Sequence, residues 1–95
     1  MNCYRNQEIN AHLIHQTQVC LGDAEVEYSL YRIQSLRDDY WSVEVCMGTE
    51  HSMQVLGQKL SYARKVYDML ALHGATPSAL EDVLHDVKAL VSDML

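Results

Sequence analysis

Residues 75–87 have the sequence ATPSALEDVLHDV, and this stretch decides how the C-terminal half of the chain folds. Thr76 is a favourable N-cap residue and Pro77 is favourable at the first helical position, so a helix is predicted to begin here. Ser78 and Glu81 have the spacing of a capping box, which predicts a competing start two residues later. The apolar residues that follow recur at the three- and four-residue spacing of one buried helix face: Leu80, Val83, Leu84, Val87, Leu90, Val91 and Met94.

A second helix is predicted immediately before this one. His73 and Gly74 mark its C-terminal end, because glycine adopts the left-handed conformation of a helix C-cap without steric cost. The link from Gly74 to Thr76 is short, so the two helices are expected to pack as an antiparallel pair. From about residue 58 the apolar residues lie on one helix face: Leu60, Ala63, Val66, Tyr67 and Leu70.

Alternation of apolar and polar residues predicts strands in the first half of the chain. The segments 25–36 and 40–48 alternate in this way, and the short polar link between them predicts a hairpin. A less regular strand is predicted near residues 10–20, where a short helix is the alternative. Residues 51–57 fit either a fourth strand or the first turns of a helix. Gly57 favours the strand, because a glycine inside a helix costs about 1 kcal/mol relative to alanine.

The predicted fold is therefore a single α+β domain that spans residues 1–95. It contains a small antiparallel sheet of three strands, or of four if residues 51–57 are extended, followed by the antiparallel helix pair packed on one sheet face. Residues 1–8 are polar and are expected to form a flexible N-terminus.

Composition excludes several classes of function. The net charge is −6 at neutral pH, which argues against binding to nucleic acid. The polar residues at the start of the sequence and its short apolar runs predict neither a secretory signal nor a membrane-spanning helix. Its three cysteines are scattered and odd in number, unlike a disulfide framework, so a reduced cytoplasmic protein is predicted.

The hairpin, the helix after it and the residues at the start of the last helix resemble a known family. The pattern Pro-x-x-Leu-x-Asp-Val-x-x-Asp is formed here by Pro77, Leu80, Asp82, Val83 and Asp86. This pattern is similar to that of a family of small uncharacterised proteins from clostridial Firmicutes, over roughly residues 25–90. The resemblance implies a bacterial origin and the same order of hairpin and helices, and it implies no chemical activity.

Candidate chemical groups are few, and none forms a recognisable motif. His12 and His15 have a spacing that suits a metal site on a helix, but on a strand their side chains should point to opposite faces. Asp82, His85 and Asp86 lie opposite the apolar face of the last helix and are expected to be solvated. No metal or other cofactor is therefore predicted.

Cys46 is the candidate nucleophile, but its position within a strand favours a role as a small apolar filler. The same interpretation applies to Cys20. No nucleophile elbow and no glycine-rich phosphate loop occur in the sequence. An enzyme of unknown type is thus the least favoured of three hypotheses, and no catalytic residue is predicted.

The favoured hypothesis concerns the sheet face that the helices do not cover, here called the far face. Helices on one side bury only that side of a sheet. If Val26, Tyr28, Leu30, Trp41, Val43 and Val45 face the helices, the far face should carry Tyr31, Ile33, Tyr40 and Cys46, together with Met53 if a fourth strand forms. An uncovered apolar face predicts a partner, and the favoured partner is a second copy of the chain. The alternative is that the first segment or the N-terminal residues of the same chain fold over this face.

The alternative hypothesis is a small-ligand-binding protein with a pocket between the sheet and the helices. Its lining would include Tyr28, Trp41 and Tyr67. A closed apolar core would favour the homodimer, whereas a concave site holding tyrosine hydroxyls and a histidine would favour the pocket.

Overall fold

The structure is a computed structural model that describes residues 10–94, so the predicted flexible segment 1–8 lies outside the described residues. Within this range, four antiparallel strands form one sheet in chain order and two helices follow, which confirms the predicted α+β fold. The strands are β1 (Asn10–Leu21), β2 (Ala24–Gln34), β3 (Asp39–Met47) and β4 (Glu50–Gly57). The helices are α1 (Leu60–Leu72) and α2 (Leu80–Met94), and a 3-10 turn (Pro77–Ala79) precedes α2.

The segment 51–57, which the sequence left open, is a strand. Gly48 has a positive φ of 61° and is the first central residue of the tight turn between β3 and β4. Glycine at this position is typical of a type II′ turn, whose twist matches that of the flanking strands. The turn therefore starts a strand that pairs with β3 over its whole length, with a register shift near Gly57.

A register shift in β1 changes the direction of its histidines. The strand contains a bulge between Leu13 and His15, so His12 lies opposite Arg32 and His15 lies opposite Leu30. Because Arg32 and Leu30 are two residues apart in β2, their partners lie on the same sheet face. The prediction that the two histidines point to opposite faces is wrong, since the bulge adds one residue between them.

The core lies between the sheet and the two helices. Trp41, predicted to face the helices, packs at the margin of this core and is half-buried. Leu60 and Leu90, predicted to lie on the buried helix faces, are about half exposed because they sit at the edge of each apolar stripe. The buried residues of the predicted helix-facing set are Val26, Tyr28, Leu30, Val43 and Val45 from the sheet, Ala63, Val66, Tyr67 and Leu70 from α1, and Leu80, Leu84, Val87 and Val91 from α2.

The predicted end of α1 is confirmed. Gly74 has a φ of 67°, and its N–H donates to the carbonyl oxygen of Ala71 at 3.3 Å. The N–H of Ala75 donates to the carbonyl oxygen of Leu70 at 3.2 Å. These two bonds form a Schellman motif, which satisfies carbonyl groups that the last helical turn leaves without partners.

The start of α2 differs from the prediction in one respect. Thr76 precedes the 3-10 turn with Pro77 at its first position, as expected, and Pro77 is buried. Within the described part of the chain, however, the Thr76 side chain makes no capping hydrogen bond to this turn. Its Oγ1 lies 3.5 Å from Oγ of Ser78 instead. The turn therefore gains its start from the fixed φ of proline and not from a threonine cap.

Candidate interaction surface

The three residues predicted to line a pocket belong to the core and its margin. Tyr28 is buried, and its hydroxyl donates a hydrogen bond of 2.8 Å to the carbonyl oxygen of Ala75. The Tyr67 hydroxyl lies 2.9 Å from the carbonyl oxygen of Tyr28 and 2.9 Å from Oγ1 of Thr17. Burial raises the pKa of both tyrosines. Their hydroxyls tie β1, β2 and the helix junction together. Trp41 is partly buried and packs against the same core from its margin.

The far face is ordered in rows of cross-strand neighbours, because directly opposed residues of antiparallel strands share a face. One row contains Leu13, Tyr31, Ser42 and Val55, the next contains Gln16, Ser29, Glu44 and Met53, and the third contains Gln18, Glu27, Cys46 and His51. A shorter row at one end contains Ala11, Ile33 and Tyr40. All five residues expected on the far face therefore do lie there.

The expectation that these side chains are uncovered is wrong for two of them. Tyr31 is 8% exposed and Ile33 is 0% exposed, whereas Tyr40 and Cys46 are half-buried. Sequence periodicity identifies the face of a strand on which a residue lies, but it contains no measure of how deeply that face is buried. Tyr31 and Ile33 are consequently part of the folded interior and are unavailable as first contacts for a partner.

Polar side chains form the centre of the far face. The Tyr31 hydroxyl donates to Oε1 of Glu44 at 3.2 Å, and Glu44 is itself buried. Burial raises the pKa of Tyr31 to about 12, and the negative charge of Glu44 adds to the effect. In the same region, Nε2 of Gln16 donates to Oγ of Ser29 at 3.2 Å. The centre of this face therefore carries hydrogen-bonded polar side chains, of which Tyr31, Ser29 and Glu44 are buried and Gln16 is exposed. It is not the apolar patch that the sequence predicted.

An open cleft of about 680 Å³ lies at the end of the far face nearest the β3–β4 turn. Cys46 lies in this cleft, and burial followed by the charges of Glu44 and Glu27 raises its pKa. A thiol with a raised pKa is a poor nucleophile. Carboxylates line the walls and would repel an anionic ligand. The lining residues are Gln18, Glu25, Glu27, Cys46, Gly48, Thr49, Glu50 and His51.

The remaining polar candidates are dispersed. Nε2 of His12 lies 3.0 Å from Oε1 of Gln34 on the surface, and the ring of His15 meets that of Tyr67 edge-on with centroids 5.5 Å apart. Asp82, His85 and Asp86 are exposed on α2, as predicted. Among residues 10–94, no three histidine, cysteine or acidic side chains are grouped so that they could hold a metal ion.

The exposed apolar residues of the far face lie at its two edges, and none of them was among the contacts predicted from the sequence. Leu13 in β1 is 51% exposed and Val55 in β4 is 53% exposed, at opposite ends of one row. Ile14, at the bulge next to Leu13, is also exposed. Alternation within residues 51–57 would have placed Val55 on this face. No sequence signal marks the bulge that turns Ile14 outward.

Family models, curated proteins and solved structures were compared with this chain, and none of the three comparisons finds a match. In the part of the chain that the structure describes, neither helix is both long and apolar enough to cross a membrane.

Proposed function

We propose that this chain is a protein-interaction module whose partner is a second copy of itself. The observation that carries the proposal is the pair of half-exposed apolar residues, Leu13 and Val55, at the two edges of the far face. Completing the burial of such a side chain contributes about 1 kcal/mol. Leu13 and Val55 mark the two edges of the sheet at which such a contact can form, and the buried Tyr31 and Ile33 are no longer proposed as contacts with the partner.

We also propose that the module works in the cytoplasm of a bacterium. Cys20 and Cys46 are free thiols in the described range, which supports a reducing compartment. The bacterial origin rests on the resemblance of Pro77, Leu80, Asp82, Val83 and Asp86 to the clostridial family, and this resemblance stays a prediction.

The test of self-association is the native molar mass, measured by light scattering over a concentration series. We expect a dimer that is insensitive to reductant and to chelator, because apolar contacts require neither a disulfide nor a metal. The double variant Leu13→Lys with Val55→Lys is expected to be a folded monomer. An unmodified chain that stays monomeric up to high micromolar concentration would contradict the proposal.

A suitable control for this experiment is a residue that is buried on the same face. Ile33→Asp places a charge in the interior, so it should lower the thermal stability of the monomer as well as any dimer. The double variant of Leu13 and Val55 should leave the far-ultraviolet circular dichroism and the melting temperature nearly unchanged, since both side chains already contact water.

A further inference from the structure

We infer that the second copy joins along the free edge of β1 and continues the sheet, so that the dimer does not form by stacking two far faces. This inference rests on the proposed self-association and names the element that carries it. Within residues 10–94, β1 is an edge strand that pairs only with β2, and with 12 residues it is the longest strand. A strand of this length presents an edge of about 40 Å. Its outward N–H and C=O groups form a template for another strand.

The charge of β1 favours a partner that is identical to the chain itself. Its sequence NAHLIHQTQVCL contains no Asp, Glu, Lys or Arg, whereas each of the other three strands contains at least one. In a two-fold symmetric contact the same patch is present on both sides, so like charges are brought together. Like charges on opposed strands are destabilising. For a chain with a net charge of −6, β1 is therefore the strand that two copies can bring together with least repulsion.

Features that protect sheet edges from pairing are sparse in β1. Lysine and proline, which commonly block edge pairing, do not occur between residues 10 and 21. The bulge between Leu13 and His15 is the one local irregularity of the ladder with β2. The bulge divides the strand, so residues 15–21 form the regular segment along which a second copy could pair. Leu13 and Ile14, both exposed, lie at the end of this segment, where a second copy would cover them.

The other edge is less suited to a second copy. β4 has 8 residues, begins with Glu50 and packs against the 3-10 turn Pro77–Ala79. Stacking of two far faces is also unfavourable. It would cover the cleft that Glu25, Glu27 and Glu50 line, and Tyr31 and Ile33 are already buried and add little new contact.

The experiment compares Leu13→Lys with Val55→Lys. These residues have nearly equal exposure, 51% and 53%, and lie on the same row at opposite edges. Sedimentation over a concentration series gives the dissociation constant of each variant, and circular dichroism verifies its fold. We expect Leu13→Lys to raise the dissociation constant about tenfold or more, whereas Val55→Lys changes it less than about twofold.

Hydrogen exchange provides a second measurement that needs no variant. Amides of residues 15–21 should gain protection in the dimer relative to a diluted sample, and amides of β4 should not. Four outcomes would overturn the β1 edge while leaving self-association intact. They are loss of the dimer with Val55→Lys alone, an equal loss with both variants, no loss with either variant, and protection gained only in β4. A chain that is monomeric at every concentration would overturn both proposals.

Discussion

At the scale of single residues, the most unusual pair is Tyr31 with Glu44. A buried carboxylate costs free energy unless it is hydrogen-bonded, and the Tyr31 hydroxyl donates one of the bonds that Glu44 receives, at 3.2 Å. The same contact holds the proton on Tyr31. The sequence shows a tyrosine and a glutamate on neighbouring strands, but only the register places them within hydrogen-bonding distance.

The raised pKa of Tyr31 predicts a loss of stability at high pH. Its pKa is raised from 10.0 to about 12 in the folded chain, so the folded state holds this proton more tightly than the unfolded state. The stabilising contribution is therefore complete below pH 10 and is lost as the pH rises through about 12. Urea unfolding at a series of pH values should show this decline, and Tyr31→Phe should make it shallower. Equal declines in both proteins would contradict the assignment.

Glu44 is predicted to raise the pKa of Tyr31 beyond the increase that burial alone causes. Glu44→Gln removes the negative charge beside the hydroxyl, so it should lower the pKa of Tyr31, as followed by tyrosinate absorbance. The control is Glu25→Gln, an exposed carboxylate of the same strand face that should leave that pKa unchanged. A pKa of Tyr31 that is equally high in Glu44→Gln would assign the shift to burial alone.

At the scale of elements, the junction of α1 with the sheet depends on Gly74. Its positive φ completes the Schellman motif, and a Cβ atom at this position would lie 3.1 Å from Cδ2 of Leu21. The end of α1 is thus fitted against the end of β1. Gly74 therefore both caps the end of α1 and allows that end to approach the sheet closely. This close approach is consistent with the burial of Pro77 in the short link that follows.

Gly74→Ala is predicted to destabilise the fold more than Gly48→Ala does. Both residues have positive φ, so each substitution costs about 1–2 kcal/mol in backbone strain. A Cβ atom at Gly48 meets nothing within 4 Å, whereas at Gly74 it displaces the Leu21 side chain. The difference in the free energy of unfolding, measured by urea denaturation, reports this contact. Equal losses in the two variants would show that Leu21 moves without cost.

At the scale of the whole molecule, electrostatic repulsion between two acidic copies is the main term that opposes self-association. Each copy carries a net charge of −6, and the cleft at one end of the far face is lined by carboxylates. A contact along β1 brings together strands that carry no formal charge of their own, although Glu25 and Glu27 lie on the neighbouring strand, opposite Cys20 and Gln18. Long-range repulsion between two copies nevertheless remains.

Salt is therefore predicted to tighten the proposed dimer. At an ionic strength of 0.1 M the screening length is about 10 Å, which is short compared with the distance between most charges of two copies. The dissociation constant measured by sedimentation should fall as sodium chloride is raised. An interface built from opposite charges would behave in the opposite way, so a dissociation constant that rises with salt would contradict a neutral β1 contact.

Local sequence patterns predicted the elements because their causes are local. Period-two alternation identified β2 and β3, and helical spacing with Pro77 and Gly74 identified both helices and the link between them. The ambiguity at residues 51–57 arose because a short apolar segment suits either structure. Pairing with β3 resolves the ambiguity, because the hairpin places residues of this segment opposite residues of β3. A helical pattern within the segment alone contains no information about that pairing.

The sequence by itself determined the α+β class, the order of the elements, the helix-facing side of β2 and β3, and the acidic charge. Each of these depends on residue type and on spacing within one element. Only the tertiary structure decided that Tyr31 and Ile33 are buried, that the bulge turns His12 and His15 to one face, and that Leu13 and Val55 are exposed at the edges. Burial and register depend on which distant segments come together, because the free energy of packing is shared among residues that the chain order keeps apart.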